Sequence, residues 1–262
     1  MTPQTRALLS PHQAAVLERA LAQEETHRRH VVVSLSGAHA YGFPSPDSDF
    51  DVKAVHLDGA TELLGFPRAP KAAERLEVID GVEVDYSSNE LGAVLQGVLK
   101  GNGNYLERFL SGFVLAASPA LERLAPLVQA ALTRRVARHY QGFATQQRSE
   151  WEKGGRRSAK KLLYVLRTTL TGTHLLRTGE MVTDVTQLLG RYGLADALEL
   201  VEQKRRGEKS ELPEPLSQQW AARIGEPFAL LERAEAESVL PAEPSNSEAL
   251  EAWLVKERLG SL

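Results

Sequence analysis

Every strand-like run in this chain falls before residue 90. "VVVSL" (31–35), "DFDVKAVHL" (49–57), "LEVI" (76–79) and "VEVDY" (82–86) are short, β-branched and bounded by turn residues. Such runs read as strands. From about residue 118 onward the apolar spacing is helical throughout. A sheet must therefore be assembled from the front of the chain, and helices must bury one another in the rest. The expected class is α+β, a small mixed sheet with helices followed by a helical bundle. The expected segments are 1–117, 118–239 and 240–262, the last being the linker "LPAEPSNS" and a short final helix.

Local signals support this order. Ser10-Pro11-His12-Gln13 reads as a capping box with Pro in the first turn. Asp80-Gly81 between two strand-like runs predicts a type I′ hairpin. Ser87 and Glu90 predict a second capping box, and "KGNGN" (100–104) should end the helix that follows. The stretch 158–179 reads as one long helix closed by Gly179. A further helical stretch is expected over 185–206.

The chain of 262 residues is long enough for a sizeable core and has no cysteine, which excludes disulfides, thiolate metal sites and a cysteine nucleophile. No apolar run approaches a membrane span, and the N-terminus lacks the apolar stretch of a signal peptide. The expectation is a cytoplasmic protein. Net charge is −3, yet residues 134–167 carry ten Lys/Arg and two acids, about +8. That window also holds Tyr140, Phe143, Trp151 and Tyr164. Cations interleaved with aromatics suit a single-stranded nucleic acid; the charged face of a helical bundle is the competing reading.

"SGAHAYGFPSPDSDFDV" (36–52) sets a small-residue turn ahead of Asp47, Asp49 and Asp51. On a strand, Asp49 and Asp51 share a face, with Phe50 and Val52 turned to the core. Asp85 sits on another predicted strand, opposite in face to Val82, Val84 and Tyr86. If the strands are neighbours, three carboxylates converge, a donor set for hard divalent cations. Exposed acids on a half-buried sheet are the plainer alternative, and Glu83 competes with Asp85 as the third ligand. Ser36, Gly37 and Ala38 would let backbone N–H groups approach an anion.

The segment 36–56 resembles the signature of DNA polymerase β-like nucleotidyltransferases, which places Gly-Gly/Ser after an apolar residue and then Asp-x-Asp on a strand. More narrowly it resembles a prokaryotic branch with Ser-Gly-Ser-x-x-Tyr-Gly followed by Ser-Asp-x-Asp, described as predicted nucleotidyltransferases of an RNA-repair pathway. "GNGNYLERF" (101–109) and the helix bearing Lys161, Tyr164, Arg167 and Gly179 resemble later parts of that branch. The resemblance implies that Asp49, Asp51 and Asp85 are catalytic and hold two Mg²⁺ or Mn²⁺ ions. It implies that Asp85 helps deprotonate an acceptor hydroxyl, and that Ser36, Gly37 and Ala38 hold the triphosphate of an NTP. Lys161, with Arg167 on the same helix, would reach the phosphates. Position 38 is Ala where the pattern usually has Ser, which removes one phosphate contact, about 1 kcal/mol.

The expected reaction is transfer of a nucleoside monophosphate from an NTP to an acceptor hydroxyl, with release of pyrophosphate. An RNA end is the expected acceptor, contacted by window 134–167. AMP transfer to a protein and nucleotide transfer to a small molecule are rival reactions of the same fold. A nucleotide- or RNA-binding module without catalysis is the rival from another class. Oligomeric state and base preference are left open.

Overall fold

A computed structural model describes residues 1–66 and 73–260. Positions 67–72 of the expected first segment and 261–262 of the last lie outside the described residues. The elements are, in order, α1 (Pro3–Ala7), α2 (Pro11–Glu25), β1 (His30–Leu35), α3 (Gly37–Tyr41), β2 (Phe50–His56), α4 (Ala60–Leu64), β3 (Glu74–Ile79), β4 (Val82–Glu90), α5 (Leu91–Leu99), α6 (Gly103–Leu110), β5 (Val114–Ala117), α7 (Ala120–Ala130), α8 (Val136–Lys153), α9 (Ala159–Thr178), α10 (Thr186–Leu189), a 3₁₀ turn, α11 (Leu198–Arg205), α12 (Glu214–Arg223), α13 (Gly225–Ala236) and α14 (Ser247–Leu259).

The chain divides into two compact units. One comprises Met1–Gly37, Asp49–Ala131 and Pro244–Leu262; the other comprises Ala38–Ser48 and Leu132–Glu243. No helix among the described residues is long and apolar enough to cross a membrane.

The first unit is built on a five-stranded mixed sheet of order β3-β4-β2-β1-β5. β2 and β4 run parallel, and the other pairs are antiparallel. The hairpin at Asp80-Gly81 forms as its sequence demands. Both residues have positive φ (49° and 81°), and Ile79 pairs with Val82. Ser10 caps α2 in a full capping box with Gln13. That helix brings Leu17, Ala20 and Leu21 around a small space also lined by Val52, Val84 and Tyr86. All six are buried. Each large apolar chain so buried contributes about 1.5–3 kcal/mol. The apolar faces of β2 and β4 thus turn to α2, and alternation turns Asp51 and Asp85 away from it.

The expected capping box at Ser87 and Glu90 does not form. β4 continues its parallel pairing with β2 as far as His56–Glu90, which keeps Ser87 in the strand opposite Lys53. Glu90 is itself the N-cap of α5, its carboxylate accepting from the N–H groups of Gly92 and Ala93. Asn102 ends the following turn and caps α6 by accepting from the Tyr105 N–H. Strand β5, whose "VLAA" has no period of its own, carries no sequence signal beyond the Ser111-Gly112 turn before it.

The second unit is helical and centred on α9. Ser158 caps its start, and Gly179 closes it in the left-handed conformation at φ 76°. Residues 165–176 are buried on every side of this helix, the pattern of a helix wholly surrounded by others. Two of its buried threonines are satisfied within the helix: Thr169 donates to the Val165 carbonyl, and Thr173 donates to that of Thr169. The expected stretch 185–206 is broken into α10, the 3₁₀ turn and α11. Gly190 and Gly193 lie at the break, and positive φ at Gly193 turns the chain.

Candidate active site

β1 is buried along its whole length, so its end is held firmly. The Leu35 N–H donates to the Phe113 carbonyl, and the Ser36 N–H donates to the Asp51 carbonyl at 2.8 Å. The chain then turns at Gly37, which has φ +62° and opens α3. Only glycine adopts that conformation without strain. It is also the one residue type with room, since a Cβ here would lie 1.8 Å from Asp51 Oδ2. The Asp51 carboxylate therefore rests on the backbone of the small-residue turn.

Asp51 and Asp85 are register partners on the parallel strands β2 and β4. Lys53, two residues along β2, compensates the pair. Its ammonium is 3.0 Å from Asp85 Oδ2 and 3.6 Å from Asp51 Oδ1. Ser34 fixes the Lys53 backbone by donating to its carbonyl at 3.0 Å. A cleft of about 350 Å³ beside the pair is lined by Lys53, Glu74, Arg75, Leu76, Asp85 and Ser87.

Asp49 immediately precedes β2 and is half-buried. Among the described residues, no three His, Cys, Asp or Glu side chains are gathered so as to hold a metal ion. Two carboxylates facing one cationic head do fit a single hard divalent cation, which takes one or two carboxylates together with substrate oxygens. The expected second ion has no completed donor set in this arrangement.

The remaining expected site residues lie in the helical unit. Ala38 is buried at 4% exposure, its carbonyl accepting from the Phe43 N–H. Lys161 pairs with Glu150 at 3.2 Å on the surface. Arg167 is buried, its guanidinium 3.5 Å above the Tyr41 ring, a cation–π contact. Tyr164 meets the edges of Tyr41 and Phe43. Tyr164 and Arg167 thus grip segment 38–48 within their own unit. Of the aromatics in window 134–167, Tyr140 and Trp151 are core residues.

Two lysines, one in each unit, escape sequence reasoning. Lys53 shares a strand face with Asp51 at the i+2 spacing, which was the available signal. Lys204 gives none. Its side chain is wholly buried, and its ammonium reaches Ser45 Oγ (2.7 Å), Ser48 Oγ (3.3 Å) and Glu208 Oε2 (2.6 Å). Glu208 also accepts from Lys160, and its backbone N–H donates to Asp47 at 2.9 Å. Burial pushes the Glu208 carboxyl up, but the hydrogen bonds and charges of Lys160 and Lys204 outweigh it and hold the group at about 2.

The chain is 32% identical over 155 residues to the uncharacterized protein MJ0002 of Methanocaldococcus jannaschii, a match covering 59% of this chain and 63% of that one. The chain thus spans just under two thirds of that relative's length. It is 29% identical over 185 residues to the uncharacterized protein YcgL of Bacillus subtilis, covering 68% of this chain and 70% of the other. A solved nucleotidyltransferase-like protein from Exiguobacterium sibiricum aligns over 93% of this chain and 79% of its own, with a TM-score of 0.34 and 10% identity. The profile of the RNA repair pathway DNA polymerase beta family matches residues 10–256. With the match running through the sheet, the Asp51–Asp85 pair and the helices, the chain belongs to the RNA repair pathway DNA polymerase beta family.

Proposed function

We propose that this protein transfers a nucleoside monophosphate from an NTP to an acceptor hydroxyl, releasing pyrophosphate, and that the acceptor is an RNA end. The observation that carries the reading is the abreast placement of Asp51 and Asp85 beside the Gly37 turn. Family membership supports the reaction class, and the family's RNA-repair description supports the acceptor.

In this reading Asp51 and Asp85, with Asp49 drawn in, hold Mg²⁺ or Mn²⁺. When bound, the metal would neutralise triphosphate charge and activate the attacking oxygen. The backbone of Ser36, Gly37 and Ala38 lies against the triphosphate, and Lys161 pairs with its outer oxygens. Arg167 acts through Tyr41, bracing the segment that follows the turn. Asp85 receives the acceptor hydroxyl proton as the new P–O bond forms and the bond to pyrophosphate breaks. Much of the rate then comes from positioning and charge neutralisation.

A binding module without catalysis is the second reading. It is favoured by the gathering of two rather than three carboxylates among the described residues. Label transfer separates the two. The protein is incubated with each α-labelled NTP and Mg²⁺ or Mn²⁺, with short RNA, tRNA, DNA or no acceptor. Label on RNA that is lost in Asp51→Asn and Asp85→Asn is the expected result. Label on protein alone indicates AMP transfer. Metal-dependent NTP binding without label on any acceptor favours the binding module.

A further inference from the structure

Two carboxylates side by side repel each other, and in this fold the repulsion is relieved by an internal cation. Lys53 Nζ lies between Asp85 Oδ2 at 3.0 Å and Asp51 Oδ1 at 3.6 Å. Those oxygens are the ones a divalent ion would need. An ammonium and a metal ion cannot share that position, because like charges so close repel strongly.

Asp51 and Lys53 differ in freedom. The Asp51 carboxylate is backed by the Gly37 backbone. The backbone of Lys53 is pinned by Ser34. The Lys53 head, by contrast, sits on a flexible four-carbon stem and borders an open cleft. Its side chain is 22% exposed, so the ammonium can leave towards water without unpacking the sheet.

We infer that Lys53 is the resident counter-ion of the Asp51–Asp85 pair and is displaced when a divalent cation binds. This rests on the metal-site reading above. Lys53 keeps the carboxylates compensated while no metal is present, and it weakens binding of the metal alone. The displaced ammonium is then available to an incoming anion, so that metal bound to a polyphosphate enters more readily than bare metal.

The test is calorimetric titration of the full chain with Mn²⁺ alone, for wild type, Lys53→Met, Lys53→Arg and Asp85→Asn. Each is checked for wild-type circular dichroism. Lys53→Met should bind Mn²⁺ about tenfold more tightly than wild type, the scale of one like charge removed from within a few ångströms. Lys53→Arg keeps the cation and should bind like wild type. Asp85→Asn should lose most of the affinity. Melting of each variant with and without Mn²⁺ gives a second readout, with the larger upward shift expected in Lys53→Met. Equal or weaker Mn²⁺ binding by Lys53→Met would overturn the inference and make Lys53 an orienting partner of the carboxylates. If wild type and Lys53→Met both fail to bind, the metal-site reading falls as well; binding by wild type keeps the two failures apart.

Discussion

The two units each hold a lysine among carboxylates, and the two are built differently. In the helical unit Lys204 has no exposed side-chain surface, and Ser45, Ser48 and Glu208 take up its three donors. Both serines belong to segment 38–48, which precedes Asp49 in sequence. In the sheet unit Lys53 is partly exposed and is shared between Asp51 and Asp85. A saturated, buried ammonium cannot leave without taking a partner from Glu208 and from two serine hydroxyls. A partly exposed, shared one can be replaced by water or by another cation. Lys204 therefore fastens a loop, and Lys53 is open to exchange.

The largest expected effect tests that difference directly. Lys204→Met leaves Glu208 without its buried partner, and breaking a buried pair costs about 3–5 kcal/mol. Lys160 remains on Glu208, so about 3 kcal/mol is the expected loss in urea unfolding. Lys53→Met should cost less, about 1 kcal/mol, because its partly exposed carboxylate partners keep contact with solvent. Equal shifts in the two unfolding midpoints would remove the distinction between fastener and exchangeable counter-ion.

Gly37→Ala comes next. The new Cβ must overlap Asp51 Oδ2 at 1.8 Å while the backbone stays at φ +62°. Strain and overpacking together should lower stability by about 2 kcal/mol. Nucleotide transfer should fall further than stability does, because the carboxylate it displaces is the one set against the turn. Label transfer at a temperature where the variant is fully folded separates the two effects.

Acid should act on the sheet unit through buried His30 and part-buried His56. Burial, then the charges of His56 and Arg28, bring His30 down to about 4, and burial also lowers His56. The unfolded chain binds these protons near the ordinary value of about 6.5, whereas the folded chain resists them. Stability from neutral His30 is thus complete above 6.5 and declines as pH falls towards 4. Unfolding at pH 7 and pH 5 should differ by about 1 kcal/mol after allowing for solvent screening. His30→Gln, which keeps a polar partner for the Tyr86 hydroxyl at 2.7 Å, should flatten that dependence.

Which features were legible in the sequence follows the same local-versus-distant line. The Ser10 box, the Asp80-Gly81 hairpin and the helix from Ser158 to Gly179 are written in neighbouring residues, and local chemistry is enough to form them. The pairing of Asp51 with Asp85 was conditional on strand order, which the D-x-D spacing alone does not fix. Ser87 misled because the parallel ladder outcompetes a cap of about 1 kcal/mol. Lys204 was invisible because its partners lie 156 to 159 residues away along the chain, apart from Glu208. Tyr140 and Trp151 read as stacking aromatics by composition, yet the packing of α8 turns them inward.

The smallest expected effect concerns Lys161, proposed above as a partner of the triphosphate. Its pair with Glu150 is 3.2 Å long with both side chains about 40% exposed, a class of contact worth 0–1 kcal/mol. Lys161→Met should therefore leave the melting temperature nearly unchanged. If the ammonium meets phosphate oxygens during turnover, KM for the NTP should rise several-fold with kcat little altered, since a contact made equally in the ground and transition states affects binding alone. Glu150→Gln supplies the control, because it frees the lysine without removing it and should leave KM unchanged or lower it. A rise in KM in both variants would assign the effect to the surface pair rather than to the nucleotide, and the phosphate-binding role would then rest on the Gly37 turn alone.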